Sequence, residues 1–439
     1  MTHPRTSHTA RLVRLGALGA AVTMVLAGCT APSESAPATA SDEPVTIRFN
    51  WWGSDTRHTM TQQVIDLFEK EHPNITVVPE FAPYTDYWDK LSTTVAAGDA
   101  PDVMQQVDPF IYEYVDSGLL VNLSDHADVL PLDQFDEGAL EGSTIDDGVY
   151  GVPGGVGTFG VVIDPQIFSD AGIEVPDDTT WTWDDYLDIA AEISEKAGPD
   201  VYGATLPLDE QGFNMFIRQR GEDLWSPDDA TVGFTEKTAA AWWEYILELR
   251  DSGATPSASL AVEQASLGLE QSPIATHTAA MSILSANQVE ALQTASGREL
   301  ELLLFPGESD GDRPGAYVKP GVYYSVSAKS EHPVESAMLI DFIVNSEEAG
   351  AILRSDRGVP GNSEVLASIE GDFSPSEQKL ADYVTEVSEL SVAGFPKPNL
   401  DAGPELVPLF ARLNQQVIFD QITPDEAAKQ FISELEAAM

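Results

Sequence analysis

The side chains that could do chemistry are present but scattered. Seven histidines occur, and His58, His72, His126, His277 and His332 fall outside the basic N-terminal stretch. None stands in the His-x-x-x-His spacing that puts two imidazoles on one helix face for a metal ion. Cys29 is the only cysteine, so a disulfide framework and a thiolate metal site are both excluded. Asp125-His126-Ala127-Asp128 has the composition of an acid/base cluster, yet it follows a Gly-Leu-Leu-Val-Asn-Leu-Ser run and reads as a turn cap. Asp310-Gly311-Asp312 starts like a calcium loop but lacks the closing glutamate, which makes it a surface turn. No Gly-x-Ser-x-Gly elbow and no phosphate-cradling Gly-x-x-x-x-Gly-Lys-Ser/Thr loop is found. With 72 Asp+Glu in the chain, any glycosidase pair would be arbitrary. The expectation is a protein without catalysis, cofactor or metal. What stands out instead is Phe49-Asn50-Trp51-Trp52-Gly53-Ser54-Asp55-Thr56-Arg57-His58, two indoles against a small polar turn. Such a pairing of apolar wall and hydrogen-bonding groups suits recognition.

The elements that must position this stretch follow from periodicity. Residues 45–49 read as a strand, and Met60, Val64 and Phe68 repeat every four residues along a helix over about 56–71 that Pro73 stops. A strand at 75–78, a helix over about 84–97 and a strand at 102–107 complete two parallel βαβ units. Residues 150–157 carry Gly151, Gly154, Gly155, Gly157 and Pro153, then enter the apolar run Phe159-Gly160-Val161-Val162-Ile163, as a hinge between lobes would. Helices are expected at about 183–197 and 235–251, strands at 302–305 and 322–326, and a helix opening at Pro333. Ser374-Pro375-Ser376-Glu377 and Thr423-Pro424-Asp425-Glu426 are capping boxes with proline in the first turn. The fold class is α/β with a helical C-terminal third.

At 439 residues the chain exceeds one core and implies two lobes. Against 72 Asp+Glu stand 22 Lys+Arg, a net charge of −50 that repels phosphate backbones and anionic lipid, so nucleic acid is not a partner. Arg5, Arg11 and Arg14 precede an apolar stretch over 15–26 that is too short to span a bilayer and ends in Leu26-Ala27-Gly28-Cys29. This resembles a bacterial lipobox, with residues 1–28 as signal peptide and Cys29 as the lipidated N-terminus. Residues 29–44, rich in Ala, Pro, Ser and Thr, form a disordered tether. The expected location is the outer face of the cell membrane, held by lipid.

Taken in order, the lipobox, "VTIRFNWWGSDTRHTMTQQVIDLFEKEHPNITV", "YWDKLSTTVAAGDAPDVMQQV", "YGVPGGVGTFGVVIDPQIF" and "GVYYSVSAKSEHPVESAMLIDFIVNSEEAGAILRSDRGVP" resemble the sugar-type extracellular solute-binding proteins of ABC importers, relatives of the maltose-binding protein. The resemblance runs from about Val45 to the C-terminus. It implies a two-lobed periplasmic-binding-protein-like fold, type II, with three crossovers and a ligand cleft between the lobes. Lobe 1 would be 45–154 plus 322–360, and lobe 2 would be 158–319 plus 361–439. It further implies a monomer that captures a sugar by hinge closure and delivers it to permease subunits. The alternatives from other classes are a secreted carbohydrate-active enzyme and a sugar-sensing surface protein. Where the maltose-binding pattern has a charged pair after its first strand, this chain has Ser54, Asp55, Arg57 and His58.

A sugar offers an apolar C–H face and a belt of hydroxyls, which an indole and polar side chains can answer together. In open α/β sheets the ligand lies beyond the carboxyl ends of the strands, which brings Trp51, Trp52, Asp55 and Arg57 into consideration. Alternation puts the two indoles on opposite faces, with Trp51 toward the core and Trp52 toward the cleft. The resemblance adds Asp108 after the third strand, Asn287 in "AAMSILSANQVEAL", Gly155 at the first crossing, and Gly321 and Tyr323 at the second. Asn214 and Trp225 are candidates from lobe 2. Trp181, Trp183, Trp242 and Trp243 are assigned to the scaffold.

Overall fold

The computed structural model describes residues 40, 43–53, 55–108, 110–135, 137–226, 230–390, 399 and 401–439. The signal stretch, Cys29, most of the tether and Ser54 lie outside the described residues.

Strand β1 (Val45–Trp52) runs further than the sequence suggests, through both tryptophans. The reason is its neighbour β2 (Ile75–Ala82), which pairs with it in parallel from Val45↔Ile75 to Trp52↔Ala82. Helix α1 (Asp55–Glu71) joins them and buries Val64, Ile65 and Phe68. Helix α2 (Tyr84–Ala96) leads to β3 (Val103–Gln106) on the other side of β1. Then come α3 (Phe110–Asp116), α4 (Glu137–Glu141) and the hairpin β4 (Thr144–Ile145) with β5 (Gly148–Val149). Asp125 and His126 belong to a short 3₁₀ turn whose Ser124 N–H donates to the Asn122 side chain.

Strand β6 (Val152–Gly157) passes through Thr158 directly into β7 (Phe159–Ile163), which belongs to a different sheet. Asp164 caps α5 (Pro165–Ala171), and a Thr182/Asp185 capping box opens α6 (Trp183–Ala197). Strand β8 (Tyr202–Ala204), helices α7 (Gln211–Arg218), α8 (Glu236–Asp251) and α9 (Ala258–Ala265), strand β9 (Ala279–Ser285), α10 (Val289–Ser296) and β10 (Glu301–Leu303) follow. Strand β11 (Lys319–Val326) returns to the first sheet, whose order is β2-β1-β3-β11-β6. The second sheet has the order β10-β7-β9-β8. The chain closes with α11 (Pro333–Asn345), α12 (Glu347–Leu353), α13 (Ser363–Ile369), α14 (Pro375–Leu390), α15 (Gly403–Ile418) and α16 (Pro424–Ala438). Both predicted capping boxes form, Ser374 with Glu377 and Thr423 with Glu426.

Each sheet has its own core. Ile47, Phe49, Trp51, Phe68, Tyr324 and Phe342 fill the first. Trp183, Phe213, Trp242, Trp243, Phe410 and Phe431 dominate the second. Trp181, Trp183, Trp242 and Trp243 are all buried, as their scaffold assignment requires. Truncating a buried indole of this kind costs about 3–5 kcal/mol. Helix α13 packs on α12, and α14 packs on β10 and α10. The result is a two-lobed α/β fold.

The glycine-rich joints meet one another. Val156 and Val359 exchange backbone hydrogen bonds of 2.7 and 2.8 Å. A Cβ on Gly155 would sit 2.7 Å from the Arg357 carbonyl oxygen, and one on Gly321 would meet the same oxygen at 2.7 Å. Gly358 has φ +110° and would press a Cβ to 2.5 Å from the Val156 carbonyl oxygen. These glycines let three backbone segments cross at van der Waals range.

Candidate functional site

The carboxyl ends of β1, β2 and β3 and the first turns of α1, α2 and α3 share one edge of the first lobe, because each parallel strand feeds the helix that follows it. Asp108 stands just past β3 on this edge. The Tyr323 hydroxyl donates to its Oδ1 across 3.4 Å. Burial pushes the Asp108 carboxyl up to about 6, against the pull of the Lys319 ammonium and the Tyr323 hydrogen bond. Tyr323 lies on β11 opposite Gln106 of β3, so sheet register alone fixes the pair.

From the second lobe, α7 brings Asn214, whose Nδ2 donates to the Tyr317 hydroxyl at 3.2 Å. The Asn214 Oδ1 is shielded from solvent and has no hydrogen-bond partner among the described residues. Tyr317 is fixed at its carbonyl by the Thr158 hydroxyl, 2.8 Å away at the first crossing. The Arg218 guanidinium lies 4.8 Å from its ring centroid. Burial pushes the Tyr317 phenol up to about 12; Arg218 opposes the shift, and Asp108 and Glu210 add to it. Asp108 from one lobe and Glu210 from the other therefore both act on one phenol. At the first crossing, Gly157 makes room for the Asn287 amide, which a Cβ there would approach to 2.4 Å. The Lys319 ammonium sits 5.6 Å from the Phe159 ring at the second crossing. Hydroxyl, amide, carboxylate and ammonium thus converge where the lobes join, a donor and acceptor set suited to a polyhydroxylated ligand.

The structure separates the other candidates. Trp51 is fully buried between Phe49 and Phe81, and its indole N–H donates to His58 Nδ1 at 3.0 Å, so it has no surface for a ligand. Trp52, 8% exposed, lies on the opposite face against Tyr84, Tyr87 and Trp88. Asp55 is exposed in the first turn of α1. Arg57 turns to the hinge instead, where it binds the Asp356 carboxylate at 2.8 Å and its carbonyl at 2.6 Å. Gly155 and Gly321 face Arg357 backbone, which gives their glycine identity a packing cause. Trp225 is buried in the second core and bridges to Val232. Asp108, Asn214, Asn287 and Tyr323 are the candidates brought to the junction. Sequence reasoning missed Tyr317 and Glu210. Tyr317 could have been found as the aromatic just ahead of the Lys319-Pro320-Gly321 crossing. Among the described residues no group of three or more His, Cys, Asp or Glu could hold a metal ion, and no helix is long and apolar enough to cross a membrane.

The model of the bacterial extracellular solute-binding protein family matches residues 63–379. The chain belongs to this family. An arabinooligosaccharide-binding protein of Halalkalibacterium halodurans is 28% identical over 179 residues, 38% of this chain and 39% of that protein. A lactose-binding protein of Rhizobium radiobacter is 25% identical over 194 residues, covering 43% and 44%. An uncharacterised lipoprotein of Streptomyces antibioticus is 28% identical, covering 44% and 41%. This solute-binding protein thus matches less than half the length of each of these curated relatives. Among solved structures, a family 1 extracellular solute-binding protein of Alicyclobacillus acidocaldarius aligns over 90% of this chain and 99% of its own, with TM-score 0.76 and 28% identity. An oligogalacturonide-binding protein of Yersinia enterocolitica, at 22% identity, covers 89% and 98% with TM-score 0.76 and shares the fold.

Proposed function

We propose that this is the lipid-anchored, extracytoplasmic substrate-binding component of an ABC importer, capturing a sugar or oligosaccharide between its lobes. The convergence of Asp108 and Tyr323 from one lobe with Asn214 and Tyr317 from the other carries this reading. Lobe 1 would comprise 45–154 plus the segment from β11 through α13, and lobe 2 the remainder, with rotation about the Gly155, Gly321 and Gly358 contact. Closure over the ligand would present the permease subunits with a shape that the open protein lacks. Cys29 would carry the lipid, and the acidic surface would keep the body off anionic headgroups. Neither catalysis nor a cofactor enters the cycle, and the ligand leaves unchanged. Relatives named for lactose, arabino-oligosaccharide and oligogalacturonide binding support the ligand class.

A thermal-shift screen against mono- and oligosaccharides tests it, since a ligand that binds the native state raises its melting temperature. At least one sugar should raise it by several degrees and be recovered unchanged. A flat screen, or release of product from a glycan, would contradict the reading.

A further inference from the structure

The His58 imidazole, in the first turn of α1, lies between two aromatic rings. The Phe81 ring of β2 packs on it with centroids 3.9 Å apart, and the Trp51 indole meets it edge-on at 6.0 Å. Trp51 donates its N–H to His58 Nδ1 at 3.0 Å. An indole nitrogen can only donate, so Nδ1 must carry no hydrogen and the ring is neutral, protonated at Nε2 alone. A second proton on Nδ1 would set two N–H groups against each other. Trp51 cannot give way, because it is fully buried on β1 against Phe49 and Phe81. His58 is half-buried at a helix end, so the movement falls to the first turn of α1.

That turn also carries Arg57, which grips the Asp356 carboxylate and carbonyl beside the glycine crossing. The charges acting on the imidazole are Asp55 and Arg57 of its own helix and Arg357 of the segment after α12. Asp356 is shared between the two arginines. Strand β2 offers the uncharged Phe81, while its Glu80 is taken by Arg48 and Lys90. Burial holds the imidazole below its ordinary value, helped by Arg357 and Arg57 and opposed by Asp55. An imidazolium would be a third cation beside two arginines, with only the exposed Asp55 to answer it.

We propose that His58 is a positioning residue for ligand capture: its protonation frees the first turn of α1 from Trp51, loosens the Arg57 grip on the hinge, and lowers ligand affinity on acidification. This rests on the carbohydrate-binding reading and adds a proton-controlled release to it.

The proton-sensitive contact is read without ligand. In protein labelled with a nitrogen isotope at tryptophan, the Trp51 indole N–H resonance should move between about pH 7.5 and pH 5, and stay in place in His58→Gln, whose amide oxygen accepts without titrating. Its absence from Trp51→Phe assigns it; should that variant not fold, the one indole resonance whose movement His58→Gln abolishes is Trp51. Affinity for the best sugar of the thermal-shift screen is then titrated calorimetrically over the same range. It should fall roughly fivefold or more further in the native protein than in His58→Gln. The Asp108 carboxyl is common to both proteins, so its own titration cancels in that ratio. A stationary indole resonance, or an equal fall in both proteins, overturns the proposal and leaves the carbohydrate reading standing. Binding of no sugar at either pH overturns both.

Discussion

The Tyr323 hydroxyl donates to Asp108 across 3.4 Å, from a strand that runs antiparallel to the one Asp108 follows. The two residues are 215 positions apart in the chain, and only the return of β11 into the first sheet brings them together. The same strand carries Lys319, whose charge acts on Asp108. One β-strand thus fixes both neighbours of the junction carboxylate.

The raised Asp108 carboxyl, about 6 in the folded protein against an ordinary 3.8, makes stability depend on pH. A group that holds its proton more tightly when folded stabilises the protein fully below its unfolded pKa and loses that contribution as pH rises through its folded value. Between about pH 4 and pH 7 the native protein should lose on the order of 1–3 kcal/mol relative to Asp108→Asn. Urea melts of both proteins at several pH values measure this. Parallel curves would mean that the carboxyl titrates normally.

Arg57, Asp356 and Arg357 tie α1 to the hinge. Asp356 accepts from Arg57 at 2.8 Å and from Arg357 at 3.1 Å, while Arg357 also donates to the Thr61 hydroxyl at 2.8 Å. Arg357 is buried, and burial lowers its pKa. Asp356→Ala should therefore destabilise by about 2–4 kcal/mol, because it leaves a buried guanidinium without its carboxylate. Arg57→Ala, which removes the more exposed partner, should cost less. Chemical denaturation ranks the two.

At the crossing, Gly155→Ala sets a methyl group 2.7 Å from the Arg357 carbonyl oxygen, which is backbone and cannot swing aside. A loss of about 1–3 kcal/mol follows from the overpacking. Gly172→Ala tests a different cost, since space is open there and the strain comes only from φ +69°. Thermal melts of the two separate crowding from backbone strain.

Glu377 caps α14 by accepting from the Ser374 N–H at 2.8 Å and pairs with Arg354 at 2.6 Å. The Arg354 guanidinium holds its carboxyl down to about 2. A depressed carboxylate stabilises above its unfolded pKa and loses that contribution as pH falls toward the folded value. Glu377→Gln should cost about 1–2 kcal/mol at pH 7 after solvent screening of the half-buried arginine, and nothing near pH 2. Denaturation at the two pH values checks the sign.

Local pattern made much of the fold legible. The four-residue repeat of Met60, Val64 and Phe68, the stop at Pro73 and the two proline-bearing capping boxes are decided within a few residues, and all appear where expected. Alternation puts Trp51 and Trp52 on opposite faces of β1, but Trp52 is buried in a core cluster of its own instead of standing open as a cleft wall. The site was less legible because its contacts are long-range. Nothing near Arg57 announces Asp356, and nothing near Asn214 announces Tyr317. Gly155 and Gly321 can be read from sequence as ligand approach or as hinge, and neither reading announces the Arg357 carbonyl that a Cβ at either position would meet. Trp225 is a ligand candidate by sequence, yet it bridges to Val232 and is buried in the second core.

If one ligand is held from both lobes at once, calorimetric titration of the best sugar from the thermal-shift screen will show it. The native protein should bind with one-to-one stoichiometry. Asp108→Ala and Asn214→Ala, one change in each lobe, should each weaken binding by roughly tenfold or more, and the double variant by at least about thirtyfold, with melting temperatures still showing a folded protein. Unchanged affinity in either single variant would contradict a site shared between the lobes.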